Sequence, residues 1–159
     1  MREGKILATA LAKAGVAVTF AVDAAASTLM GKCDAVLLGA DSIGDLGVVN
    51  KIGSAGLVDA AMRHEVSVMV VSDETKILPT RSPQPLADDR PPEEVWRAPA
   101  GVRVWNRYLE LFELERVTVV VTESAALTPL EVEELRKGIV LPPGLRVWAD
   151  ARTRRTLDV

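Results

Sequence analysis

The chain has 159 residues, of which 48% are hydrophobic and 26% are charged, and its formal net charge is −3. This composition suits one domain with a buried core and excludes a disordered chain, while the acidic balance makes a nucleic-acid partner unexpected. The single cysteine, Cys33, excludes an internal disulfide and every metal site built from several cysteines. Because no apolar run approaches the roughly 18 residues of a membrane span, we expect a cytoplasmic protein with no membrane segment. We also expect no bound metal and no cofactor.

The first part of the chain alternates between helical and strand patterns. Residues 3–14 place apolar side chains at helical spacing and are followed by Gly15, so a helix is expected there. Residues 16–22 predict a strand. Asp23 is expected to cap a short helix over residues 24–30 before the next strand begins.

The central stretch predicts one strand-helix-strand unit. An apolar run over residues 35–38 ends at a glycine-rich loop, and a helix over about residues 51–64 is expected to come next, with Ile52, Leu57, Ala60 and Ala61 facing inward. The next apolar run, residues 66–71, predicts the second strand. Two parallel strands joined in this way place a ligand loop at the carboxyl end of the first strand.

The second part of the chain begins with a long proline-rich loop. This loop covers residues 72–100 and includes one expected helical turn over 92–96. Strands are predicted over residues 101–105 and 117–121, with a turn or short helix over 108–114 between them. A final helix to Lys137 is expected to begin with a capping box, in which Thr128 is the N-cap, Pro129 is N1 and Glu131 is N3.

These elements predict an α/β fold with a mainly parallel sheet of about five strands in a single domain, residues 1–159. Within it we distinguish four parts. The first half, residues 1–71, carries the ligand loop, and the long loop covers residues 72–100. The second half covers residues 101–138, and a tail covers residues 139–159.

Five residues around the central loop are candidates for ligand binding: Gly39, Asp41, Asn50, Lys51 and Gly53. A carboxylate at a strand end can act as a general acid or base, accept a hydrogen bond from a ribose hydroxyl or bind a metal. A lysine beside the start of a helix can bind a phosphate. The structural alternative is that Asp41 caps a turn, Asn50 is an ordinary N-cap and Lys51 is solvated. Neither the phosphate-binding P-loop nor the G-x-G-x-x-G dinucleotide pattern is present.

Other polar residues have ordinary structural explanations. His64 comes after the predicted helix and is expected at the surface. Arg152, Arg154 and Arg155 could contact phosphate or RNA, although a solvated tail is the expectation for such a short cluster. The three tryptophans, at positions 96, 105 and 148, are expected to pack against the sheet or an interface.

The sequence from Gly39 to Leu57, GADSIGDLGVVNKIGSAGL, resembles the signature of a known family. That family unites the regulatory subunits of translation initiation factor 2B with methylthioribose-1-phosphate isomerase and ribose-1,5-bisphosphate isomerase. Residues 86–95, 104–110 and 120–123 are similar to its acidic arginine-containing segment, its Asn-Pro-x-Phe-Glu stretch and its late Thr-Glu strand, in the same order. The resemblance implies a three-layer Rossmann-like domain, the carboxyl-terminal one of the family.

In the isomerases of that family a cysteine and an aspartate act together to convert an aldose 1-phosphate into the ketose. The resemblance aligns Asp41 with that aspartate, as general acid or base, and Asn50 and Lys51 with neighbours that position the substrate. Cys33 is not the counterpart of the family cysteine, which lies on an upstream strand, and Ser42 stands where many isomerases carry arginine.

The resemblance implies three alternative functions. The first is a regulatory or non-catalytic domain that binds a phosphorylated sugar or nucleotide. The second is an aldose–ketose phosphate isomerase, complete in itself or completed by a partner chain that supplies the missing amino-terminal half. The third is a protein interaction module with a vestigial pocket.

The resemblance also bears on the sheet and the assembly. In the family, two strands upstream of this chain lie between the counterparts of residues 16–22 and 35–38. We expect these two segments to pair directly here, the alternative being an apolar edge that another chain covers. A homodimer is expected through the second half, where Trp96, Trp105, Tyr108 and Leu109 lie.

Overall fold

The computed structural model describes residues 3–84, 86 and 89–145. Its helices and strands alternate along the chain, as in the predicted α/β class. The α-helices are α1 (Glu3–Lys13), α2 (Ala26–Leu29), α3 (Ser54–Arg63) and α4 (Pro129–Gly138). The strands are β1 (Ala35–Leu38), β2 (Ser42–Gly44), β3 (Gly47–Lys51), β4 (Ser67–Val71), β5 (Leu109–Phe112), β6 (Val119–Val121) and β7 (Ala126–Leu127).

The main sheet has four strands in the order β1-β4-β6-β7. β1 and β4 pair in parallel, with Val36 opposite Val68, and β4 pairs in parallel with β6, whereas β7 runs antiparallel to β6. Alternate side chains of these strands point into the core, where Val68 and Val70 are fully buried. They pack with the apolar side of α3, including Val58, as expected for a βαβ unit.

A second sheet has three antiparallel strands in the order β2-β3-β5. The β2-β3 hairpin turns at Gly47, which has a φ of 120° and where a Cβ would lie only 2.4 Å from the Phe112 backbone oxygen. On its other side β3 pairs with β5, which places Asn50 opposite Glu110. The hairpin therefore brings the candidate ligand residues against the second half of the chain.

Two buried polar side chains fix the hairpin to the rest of the molecule. The Gln84 amide donates to the Gly47 carbonyl at 2.9 Å and accepts from the Leu46 backbone N–H. The Arg136 guanidinium, only 1% exposed, donates to the Leu78 carbonyl at 2.9 Å and pairs with Asp45 at the hairpin tip. Both buried side chains therefore have partners, as a stable interior requires.

Most elements that the local pattern predicts are confirmed. The α1 helix, the strands β1, β4 and β6, the core-facing side of α3 at Ala60 and Ala61, and the helical turn Pro92–Glu94 all occur. The Thr128 capping box is present with both of its hydrogen bonds. His64 ends α3 and is exposed.

The strand predicted over residues 16–22 is wrong. The segment joins no sheet, all its residues are exposed, and β1 therefore has β4 as its only ladder partner among the described residues. The predicted direct pairing of this segment with β1 within the chain is wrong for the same reason. After it, Asp23 does not cap a helix with its side chain, since it is itself the first residue of a 3-10 turn.

Three further expectations about the chain path are wrong. Asn50 and Lys51 belong to β3, so the predicted helix begins later, after Gly53, and Ile52 is 40% exposed. Residues 101–105 form no strand, and the strand in this region is β5, where a turn or short helix was expected. Long-range pairing between β3 and β5 decides the structure here, and a local pattern does not contain that pairing.

Some predictions fall outside the described residues. These concern Ala87 and Asp88 in the acidic segment, Trp148, and the arginines at 152, 154 and 155. The end of the predicted tail, residues 146–159, lies outside as well.

Candidate functional site

A groove of about 780 Å³ opens beside the carboxyl end of β1. One wall is made by the start of α1 and residues 20–27. The other wall consists of Leu37 and Leu38 of β1, the end of β3 and the first turn of α3. Four of the five predicted ligand residues line it, namely Gly39, Asn50, Lys51 and Gly53. The groove thus lies where open α/β sheets bind ligands.

Asn50 and Ser54 shape the turn that joins β3 to α3. The Asn50 Nδ2 donates to the Ser54 hydroxyl at 3.0 Å, and that hydroxyl donates to the Lys51 carbonyl at 2.6 Å. Gly53 is the N-cap of α3 with a φ of 103°, a conformation that favours glycine. The amide of Asn50 is therefore held in one orientation. Its Oδ1 has no donor among the described residues and faces Gly39, where a Cβ would lie 3.8 Å away.

A positive charge, the Lys51 ammonium, lies in the groove beside this turn. It lies 3.5 Å from the Glu3 carboxylate and 5.0 Å from the centre of the Tyr108 ring, and its side chain is 45% exposed. An exposed ion pair such as Lys51–Glu3 contributes between zero and about 1 kcal/mol, so an anionic ligand could displace Glu3 at small cost. The ring then continues to hold the ammonium in place.

The first turn of α3 is partly occupied by a carboxylate from another strand. Glu110 on β5 accepts the Ala55 backbone N–H at 2.8 Å, so one of the helix's free amides is already satisfied. The same carboxylate places negative charge at the positive end of the helix dipole. Glu110 therefore positions α3 against β5 and leaves the anion-binding role mainly to Lys51.

Asp41 lies at the rim of this site. Its backbone N–H donates to the Val49 carbonyl at 2.8 Å, which fixes the residue where β1 ends and β2 begins. The side chain is exposed, and among the described residues it has no hydrogen bond or ion pair. The structure thus places Asp41 next to the strand that carries Asn50, without making it part of the groove lining.

A second, smaller cavity of about 240 Å³ shares Lys51 with the groove. Tyr108 lines it, and the tyrosine hydroxyl donates to Glu94 at 2.6 Å, an oxygen that Asn106 also contacts at 3.2 Å. The Arg90 guanidinium lies 4.7 Å from the centre of the same tyrosine ring. The loop before β5 therefore folds against the lysine.

Sequence reasoning missed Glu110, Ser54 and Tyr108 as parts of this site. Ser54 could have been found from its position at the start of α3. The other two depend on the pairing of β3 with β5, which joins residues about sixty positions apart. The role of all five predicted residues in binding a ligand stays a prediction.

Comparison with known proteins places the chain in a family. Residues 1–129 match the model of the Initiation factor 2 subunit family. The chain belongs to that family. Among curated relatives, ribose 1,5-bisphosphate isomerase of Thermococcus kodakarensis is 34% identical over 80% of this chain and 42% of its own length. Methylthioribose-1-phosphate isomerase of Thermotoga maritima is 33% identical over 86% of this chain and 43% of its own length.

Solved structures of this family agree with the fold. The translation initiation factor eIF-2B subunit delta from A. fulgidus superposes with a TM-score of 0.70 at 28% identity, covering 80% of this chain and 41% of that one. The 5-methylthioribose 1-phosphate isomerase from Pyrococcus horikoshii superposes with a TM-score of 0.69 at 26% identity, covering 80% and 38%. The predicted Rossmann-like α/β fold is thereby confirmed, with four strands in the main sheet.

The chain spans about two fifths of the length of the curated relatives named above. The similarity therefore concerns one part of those proteins. Within the described ranges, every helix is too short or too polar to cross a lipid bilayer.

Proposed function

We propose that this member of the Initiation factor 2 subunit family binds a phosphorylated five-carbon sugar in the groove beside β1 and acts without turnover as an isolated chain. The observation that carries the proposal is the convergence of Lys51, Asn50 and two backbone-exposing glycines at the carboxyl end of one parallel strand. The names of the relatives, which are isomerases of ribose 1,5-bisphosphate and methylthioribose 1-phosphate, supply the class of ligand.

Each group has a role in this proposal. The Lys51 ammonium takes the phosphate, leaving Glu3, because a dianionic phosphate attracts it more strongly than an exposed carboxylate does. The fixed Asn50 Oδ1 accepts a sugar hydroxyl. Gly39 and Gly53 let the ligand approach the backbone closely. A nucleotide is the second ligand class, since it presents the same phosphate and ribose hydroxyls.

An isomerase is the second candidate function. Asp41 favours it, because its carboxylate lies at the same strand end with no partner among the described residues and could move a proton from a sugar hydroxyl. Moving hydrogen between adjacent carbons requires groups on both sides of the substrate, and Asp41 supplies one. A partner chain bearing the remaining part of the family's sequence would have to supply the other. The third candidate function is a protein interaction module with a vestigial pocket. Separately from these three functions, we propose that the chain forms a homodimer.

Thermal shift tests the binding proposal. The panel contains ribose 1,5-bisphosphate, 5-deoxyribose 1-phosphate, 5-methylthioribose 1-phosphate and AMP. Ligand at a hundredfold excess over Kd adds about 2.7 kcal/mol, which corresponds to a rise in Tm of about 5–10 °C for a domain of this size. Lys51→Ala should abolish the rise, while Lys13→Ala, on α1 outside the groove, should keep it.

The results separate the candidates. No shift with any compound in the unmodified chain at millimolar concentration would contradict ligand binding and leave the interaction module. A shift without turnover supports the binding domain. Turnover at an ordinary enzymatic rate by the isolated chain, lost in Asp41→Asn, would show that the isomerase is correct instead.

A further inference from the structure

The Lys51 ammonium is held beside the groove by an aromatic ring from a distant part of the chain. Tyr108 lies just before β5, and its ring centre is 5.0 Å from the Lys51 Nζ. Its backbone carbonyl accepts the Ile52 N–H at 2.7 Å, which fixes the tyrosine next to the end of β3. A cation this close to the face of a ring is attracted by the negative charge of that face. The ring therefore restrains the ammonium to which the proposed function assigns the phosphate.

The tyrosine hydroxyl is fixed in turn by an exposed carboxylate. It donates to the Glu94 Oε2 at 2.6 Å, and the side-chain amide of Asn106 donates to the same oxygen at 3.2 Å. A hydrogen bond to an ionised carboxylate is roughly twice as strong as one between neutral groups. Glu94 therefore determines where the Tyr108 ring lies.

The short turn that carries this carboxylate, Pro92–Glu94, is attached to the segment before β5. Asn106 is buried and donates to the Pro91 carbonyl at 2.9 Å, and its own carbonyl accepts the Arg90 backbone N–H at 3.0 Å. The Arg90 guanidinium lies 4.7 Å from the centre of the Tyr108 ring. The turn and its attachments therefore form a support for the ring.

Among the described residues, Glu94 lines neither the groove nor the smaller cavity. Through space alone this carboxylate would disfavour binding, because a negative charge near the site repels a phosphate. Its connection to Lys51 through Tyr108 acts in the opposite direction, because a lysine that is already held in place loses less side-chain entropy when it binds. The two effects differ in sign, so an experiment can separate them.

We propose that Glu94 is a positioning residue for the ligand site, which acts on the phosphate through Tyr108 and Lys51 without contacting the ligand. The inference rests on the proposed function, since it concerns the affinity of the same groove for a phosphorylated sugar. It gives the acidic segment before β5 a role that the lining of the groove does not reveal. Removing Glu94 weakens phosphate binding, although it removes a negative charge.

Isothermal titration calorimetry with ribose 1,5-bisphosphate tests the sign of this effect. Glu94→Ala should raise Kd about two- to fivefold, which corresponds to one cation–π contact at an exposed site. Glu93→Ala is the matched control, because it removes the adjacent exposed carboxylate, and it should leave Kd unchanged or lower it. Tyr108→Leu removes the ring itself and should raise Kd about two- to tenfold.

Two conservative variants separate the hydrogen bond from the folding of the turn. Tyr108→Phe keeps the ring and the contact between Asn106 and Glu94, and it should raise Kd about as much as Glu94→Ala does. Glu94→Gln also removes the charge, but its amide oxygen can still accept the tyrosine hydroxyl. Its Kd should therefore lie closer to that of the unmodified chain than the Kd of Glu94→Ala does.

Nuclear magnetic resonance without ligand tests the connection to Lys51 independently of the proposed function. Protons over the face of an aromatic ring resonate upfield, so the ε-methylene protons of Lys51, assigned from their absence in Lys51→Arg, should lie upfield of the ordinary lysine position. Tyr108→Leu and Glu94→Ala should both move them back. Trp105→Leu, which removes the other ring–cation pair of this segment, should leave them in place.

Failure of the proposed function and failure of this inference give different results. If the unmodified chain does not bind ribose 1,5-bisphosphate, the proposed function is contradicted, and the lysine resonance then decides the inference. Equal or tighter binding in Glu94→Ala, or an equal loss in Glu93→Ala, would overturn the role of Glu94. A Lys51 resonance at the ordinary position, or one that Glu94→Ala does not move, would overturn it as well.

Discussion

The amino-terminal unit, residues 3–25, and the body, residues 35–138, differ in how they use their apolar side chains. In the body, Ile43 is completely buried and the strands of the main sheet contribute to one core. In the amino-terminal unit, α1 has no buried residue, and Ile6 is 68% exposed although it lies on a regular apolar stripe. Both regions have the sequence pattern of core elements, yet only one of them has a core.

This difference shows what an apolar pattern determines. The stripe of α1 and the β-rich residues 16–22 specify which side of each segment should be buried. They do not supply the surface that buries it, because that surface must come from other elements. Within the described residues, no element covers Ile6 and Leu7 of α1 or residues 16–22, all of which are exposed.

The largest expected effect is on the free energy of unfolding, when one isoleucine is truncated to alanine in each of the two regions. Ile43→Ala should lower the free energy of unfolding by about 2–5 kcal/mol, because it leaves a cavity in the body. Ile6→Ala, at an exposed position of α1, should change it by less than about 0.5 kcal/mol. Urea denaturation at concentrations where the chain is monomeric measures both. Equal losses would mean that the amino-terminal unit is as well packed as the body.

A smaller effect is expected from the clamp that Arg136 forms on the hairpin tip. Arg136→Met removes the bond to the Leu78 carbonyl and the ion pairs with Asp45 and Glu133, and should cost about 2–3 kcal/mol. Lys137→Met removes the neighbouring, exposed pair with Glu134 and should cost less than about 1 kcal/mol. Thermal unfolding measures the loss of stability in each variant. Similar losses in the two variants would contradict the clamp.

The smallest expected effect is a pH dependence at the start of α4. The Thr128 backbone N–H, and then its hydroxyl, donate to the Glu131 carboxylate and hold its pKa below the ordinary value. Since the folded pKa is the lower one, this stabilisation is present above the unfolded value of about 4.3 and is lost as pH falls through the folded pKa. An NMR titration should find a depressed pKa that Thr128→Ala moves part of the way back. A Glu131 pKa at or above the ordinary value would contradict the capping box.

Local signals predicted the elements that depend on local chemistry. The continuous apolar runs of β1, β4 and β6 and the capping residues before α4 were sufficient for those elements. The β2-β3 hairpin was missed within the glycine-rich loop, and β5 could not be predicted because its ladder with β3 joins residues far apart in the chain. Residues 16–22 show the converse, since this segment has strand composition and yet joins no ladder among the described residues.

The candidate site was predictable to a similar degree. Gly39, Asn50, Lys51 and Gly53 were expected from the position of a polar loop at a strand end, and the structure brings them to one groove. Their surroundings could not be read from local sequence. Glu110 reaches the α3 amide, and Tyr108 lies near Lys51, only because β5 pairs with β3.

Hydrogen exchange of the full chain, measured by mass spectrometry with and without ribose 1,5-bisphosphate, tests the binding site most directly. We predict that the ligand slows exchange of the amides from Gly39 to Leu57, around the turn that holds Asn50 and Lys51. Amides of β6 and α4, away from the groove, should change much less. Protection confined to residues outside the groove, or none under conditions where thermal shift reports binding, would contradict a ligand site at the end of β1.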